Sequence, residues 1–188
     1  NFTNALNQVS IYHALEEKDI EKALTINEYT IKAQNHVSKN VYQNAMAQKL
    51  SLKLLYGDFQ EAKELYINLP LETKKFIANL STAAAVRAYV LVSGLVEESE
   101  NETKTALARC DKAIKSLPES VRATEEKLII ESVKRVQEKH PEWDFSDFSF
   151  KEDKPVETAE KPEDSSSEKP EGKEAKEAEE NPSDHKKD

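Results

Sequence analysis

Four histidines, one cysteine and many carboxylates are the residues of this chain that could do chemistry. His13, His36, His140 and His185 stand far apart, and none has metal-ligand spacing with Cys110 or with another. Adjacent carboxylates occur at Glu16-Glu17 and Glu97-Glu98. Such pairs abound on helical surfaces and do not by themselves make a general acid–base pair. Gly57, Gly94 and Gly172 are isolated, so no glycine-rich loop is available to cradle phosphate. No Gly-x-Ser-x-Gly or similar nucleophile signature occurs. Cys110 lies in an apolar helical pattern and reads as a small buried side chain, and a lone cysteine forms no intramolecular disulfide. The expectation is a chain with no catalytic residue, no metal and no cofactor: not an enzyme.

Charge narrows the partners further. The chain of 188 residues carries a net −9, and residues 151–188 hold 8 basic and 14 acidic side chains, so −6 of it belongs to the tail. No basic stripe with interleaved aromatics appears, which argues against a nucleic-acid backbone as ligand. No apolar run reaches the ~18 residues of a membrane span. The most apolar piece, 83–96, is short and interrupted by Arg87. The cytoplasm is favoured, but the start at Asn1 and not at Met leaves a removed signal or anchor open. Three Asn-x-Ser/Thr triplets, at Asn1, Asn79 and Asn101, matter only in a eukaryotic secretory compartment.

What positions these residues is helix. Only two of the 3 glycines fall before residue 150, strand-like alternation is missing, and Ala, Leu, Glu, Lys and Gln dominate long stretches. Seven helices are expected, at 2–17, 19–34, 39–56, 59–68, 71–94, 102–116 and 119–139, with a break in the fifth near Ser81-Thr82. Asp19 and Asp58 stand at N-cap positions, and Asp58 with Glu61 resembles a capping box. Pro70 and Pro118 each end an apolar helix. Short connections pair the helices as antiparallel hairpins over 2–34, 39–68 and 71–118. The last helix carries Val121, Leu128, Ile129, Val133 and Val136 on one face, with Glu125, Glu126, Glu131, Lys134 and Arg135 assigned to the other. It reads as a C-terminal cap.

Within these hairpins, Ala23, Ala62 and Ala106 place a small residue early in each second helix, with Asn27, Tyr66 and Cys110 four positions on. Tyr56-Gly57-Asp58-Phe59 forms the turn before the second of them, and Ala113 and Pro118 close the third. In these residues the chain resembles the tetratricopeptide repeat, loosely over 1–118 and best over 56–70. The alanines recur at 39 and 44 residues, longer than the family's repeat of about 34. The large aromatic, the Leu-Gly pair and the Tyr of the family's first helix occur together in no unit. The resemblance implies an all-α fold of antiparallel hairpins stacked as a short tetratricopeptide-like superhelix, with a C-terminal capping helix. It implies a protein- or peptide-binding adaptor whose groove is lined by the first helices. Candidate groove residues are then Asn7, His13, Gln43, Gln48, Lys49, Lys53, Arg87 and Ser93. Lys49, Lys53 and Arg87 would suit a partner's carboxylate, although the family's clamp spacing is not reproduced. A plain helical bundle with these residues on solvated faces fits the same pattern.

Beyond residue 140, Trp143, Phe145, Phe148 and Phe150 alternate with acids and serines. Two readings compete, an aromatic segment folded onto the last helices and a linear motif offered to a partner; packing is favoured, because exposed aromatics would form a costly patch. The 1–150 domain ends there. The tail, 151–188, has almost no large apolar side chain and is expected to be disordered and acidic. Two other functions remain open: a structural subunit of a larger complex, and a chaperone-like factor that uses the acidic tail.

Overall fold

Side-chain oxygens set the helix starts. Asp19, Ser38, Asp58, Thr82 and Ser99 each accept the backbone N–H three residues on, at 2.9–3.5 Å. Each satisfies one of the donors that an N-terminus leaves unpaired. Pro70 and Pro118 open two more helices, where their missing N–H costs nothing. The computed structural model describes residues 2–150, apart from the side chains of residues 2–4 and 7. The expectations for the tail and for the Asn7 side chain lie outside the described residues.

The described chain is all helix: α1 (Phe2–Leu15), α2 (Ile20–Lys32), α3 (Lys39–Tyr56), α4 (Phe59–Asn68), α5 (Leu71–Ala78), α6 (Ala83–Leu95), α7 (Glu100–Leu107), α8 (Cys110–Ile114) and α9 (Glu119–Lys139). Two expected helices are divided. Between α5 and α6 the Thr82 hydroxyl caps the new helix, Leu80 takes a positive φ of 52°, and the axes diverge by 100°. The 102–116 segment starts earlier, under Ser99, and breaks after Leu107, where the Arg109 N–H turns to Ala106 O at 3.1 Å. No Pro or Gly marks that second break, so local sequence does not announce it. The Glu61 carboxylate does not complete a capping box; it turns to Lys53 Nζ at 2.8 Å.

α6 is the centre of the domain. It packs against α3, α5, α7, α8 and α9, and nearly its whole circumference is buried. Its sequence, Ala83-Ala84-Ala85-Val86-Arg87-Ala88, explains this: small residues on every side let neighbours approach from all directions. Gly94 takes the closest approach, because a Cβ there would collide with both methyl groups of Val136 on α9. The first turns of α3, α6 and α9 line one cleft. Near their far ends, Tyr56 of α3 bonds Glu131 of α9, and Lys139 of α9 bonds Leu95 O of α6. Beginning together and ending together, the three helices run parallel, and the shorter helices carry the chain back between them. α1 packs chiefly on α2 and touches α3 and α9 more lightly.

The aromatic segment closes the far end. Phe145 is buried in the core, and Trp143, Phe148 and Phe150 pack against it. Trp143 stacks on His140 with ring centroids 4.0 Å apart and planes 6° from parallel. These rings are thus used within the domain and are not presented outward as a free motif.

Candidate functional site

A helix that is apolar all round should carry no charge at its middle, yet α6 carries Arg87, whose side chain is 0% exposed. Its partner is Glu125 of α9, buried at 4%. Arg87 Nη1 donates to Glu125 Oε2, while Arg87 Nε and Nη2 have no partner among the described residues. Burial pushes the Glu125 carboxyl above its ordinary range, and Arg87 pulls against that shift. The pair therefore holds together because separating it would leave an uncompensated charge inside, a cost of about 3–5 kcal/mol.

Assigning Glu125 to the solvent face of the last helix was wrong. Glu125 lies four residues from both Val121 and Ile129, so the α-helical period puts it on their face. That spacing is the signal that sequence reasoning missed.

Glu125 also lines a cleft of about 410 Å³ where α3, α6 and α9 begin. Its walls carry the carboxamides of Gln8 on α1 and of Asn40, Asn44 and Gln48 on α3, with Thr82 opposite. Its floor is apolar: Ile11, Val41, Ala83, Ala84, Leu117 and Val121. Among the described residues the lining contains no Lys or Arg, and two of the converging helices are already capped by Ser38 and Thr82. A phosphate or carboxylate finds no cation there. Asn44 Oδ1 is buried and has no hydrogen-bond partner among the described residues. A second cleft of about 480 Å³ adjoins the first and shares Gln8 and Val121 with it. It runs between α1 and α9, past Tyr12, Leu15, Glu16, Ser120 and Thr124.

Comparison with protein-family models, curated proteins and solved structures gives no match. The site stands on its own geometry.

Among the described side chains expected to meet a partner, Gln48 alone lines this cleft, and it is almost wholly buried. The carboxylate clamp is not assembled. Lys49 Nζ is held by Glu28 of α2, Lys53 Nζ by Glu61 of α4, and Arg87 is inside. Each cation has found a carboxylate of this chain, and the three point into different seams. His13 is buried, its Nδ1 2.5 Å from Glu17 Oε2, with its ring edge-on to Tyr12 at 5.7 Å. Ser93 is buried against Thr103 at 2.9 Å, and Gln43 is buried as well. Asn40, Asn44 and Gln8 were not singled out, because amides on helices carry no spacing signal until the helices are placed.

Among the described residues no three His, Cys, Asp or Glu side chains are grouped to hold a metal. The Cys110 thiol is pushed up to about 12, chiefly by burial, and so stays protonated and unreactive at neutral pH. No single described helix is long and apolar enough to cross a membrane.

Proposed function

We propose that this chain is a non-catalytic protein- or peptide-binding module of tetratricopeptide-like type. One observation carries the reading: a cleft walled by carboxamides over an apolar floor, with a buried acceptor, Asn44 Oδ1, left unpaired. A carboxamide offers both donor and acceptor, the complement of a peptide group. A ligand whose own backbone is unpaired gains most from such a wall. The three alanines that carry the resemblance, Ala23, Ala62 and Ala106, are all fully buried at helix contacts, which supports stacked hairpins. The parallel run of α3, α6 and α9 supports the same arrangement. The proposed site is this cleft. It lies at the start of the parallel helices beside Glu125, and not along Lys49 and Lys53.

Binding of the full chain to an array of short random peptides tests this. Bound peptides should be lost on Asn44→Leu, which keeps the volume and removes the acceptor. Equal binding by that variant would remove the cleft from the function.

A structural subunit is the second reading. It is favoured by Tyr29, Ile67 and Leu71, which stand well exposed on α2, α4 and α5. A size measurement decides: a stable monomer speaks for the module, and obligate association speaks for the subunit.

A further inference from the structure

The two clefts adjoin to make a groove, and each charged side chain in its described lining is paired. Glu125 is matched by Arg87, and Glu16 by Lys127 at 3.7 Å. The groove therefore selects against a strongly charged segment of either sign, since each would face charges that are already paired. The second cleft carries what the first lacks, a large side chain that stands mostly in solvent. Tyr12 is 53% exposed, and Val9, one turn before it on α1, is exposed beside it. The inner wall is Leu15 and Val121. One bulky apolar side chain entering here would cover the Tyr12 ring. Aromatic surface buried in this way carries most of the energy in many interfaces.

We infer that the bound segment is extended and uncharged, and that one bulky apolar side chain anchors it between α1 and α9 beside Tyr12. The inference rests on the peptide-binding reading of the first cleft. A helical ligand fits less well, because its backbone groups are already paired and would leave Asn44 Oδ1 without a partner. The chain's own tail is a poor occupant, since residues 151–188 carry a net −6 and the described lining offers no Lys or Arg to receive them.

The full chain, its Tyr12→Ala variant and its Thr124→Arg variant are each applied to the same random-peptide array, with circular dichroism as the check on folding. Tyr12 is largely in solvent, so its loss leaves the fold intact, and Thr124→Arg blocks the second cleft from the other wall. Peptides bound by the parent chain should share a Leu, Ile, Phe, Tyr or Trp and carry little net charge. Both variants should weaken these peptides by about tenfold or more. The inference falls if the bound peptides are enriched in Lys and Arg or in Asp and Glu. It falls if Tyr12→Ala binds them unchanged while Asn44→Leu does not; the reading of the first cleft then survives alone. It also falls if a synthetic 152–188 peptide displaces them, which would make the tail the occupant. No bound peptide at all sinks both.

Discussion

The two ends of the parallel layer are built from the same helices and finished in opposite ways. At the far end the chain uses up its own polar groups. Lys139 Nζ donates to Leu95 O at 2.7 Å and to Glu98 at 2.6 Å, His140 Nε2 sits 3.0 Å from Gly94 O, and Trp143 covers the imidazole. Lys139 on the last carbonyl of α6 suits the helix dipole. At the near end the helices start around an open cleft, and Asn44 Oδ1 is left without a partner. The polar groups named at the far end are paired within the chain, whereas the acceptor at the near end has no partner among the described residues.

The largest effect should come from the buried pair that backs the open end. Glu125→Leu leaves Arg87 charged and unpaired, and should cost about 3–5 kcal/mol in denaturant unfolding. Arg87→Met should cost less, because Glu125 can take up a proton. The double variant Arg87→Met with Glu125→Leu should return close to the parent stability. If the double variant is as weak as Glu125→Leu, the pair is not the buried unit described above. At the closed end, Gly94→Ala drives a methyl into Val136 and should cost about 1–3 kcal/mol. Adding Val136→Ala should cost less than the sum of the two changes, a coupling that a double-mutant cycle reads directly.

Much of the fold was legible, and the reasons are local. Asp19, Asp58, Pro70 and Pro118 act through the residues next to them, so the helix starts could be read from the chain. The division after Leu107 has no such residue and arises from packing on α6. The site was less legible than the fold. Lys49, Lys53 and Arg87 stood out because charge is conspicuous in a sequence, yet each is neutralised by a carboxylate brought in from another helix. Asn40, Asn44 and Gln8 were inconspicuous and become a wall only when α1 and α3 meet.

Smaller effects sharpen the contrast between spent and unspent polar groups. On α2, both amide atoms of Asn27 and the hydroxyl of Thr30 are buried without partners among the described residues, away from the cleft. Asn27→Leu should raise stability by about 1–2 kcal/mol and leave peptide binding unchanged. A loss of binding would mean that unpaired polar groups outside the cleft also serve function.

The smallest effect is in acid. Glu17 is held below the usual carboxylate range by His13, Glu72 by Lys39, Glu98 by Lys139 and Asp144 by the Ser146 N–H. For an acid depressed in the folded state, the stabilisation is present above its unfolded value of about 4 and is lost as pH falls through the folded one. Glu125 works in the opposite sense, since burial raises it. Thermal midpoints should hold above about pH 5 and decline below about pH 4. A midpoint that rises on acidification would mean that Glu125 outweighs the four.

The most direct test of the central claim is amide chemical-shift mapping of the full chain with an array-selected peptide. The perturbed amides should gather at Gln8–Tyr12, at Asn40–Gln48, around Thr82–Ala84 and at the start of α9. Perturbations gathered instead around Phe59, Leu95 and Trp143, with the open end silent, would contradict it.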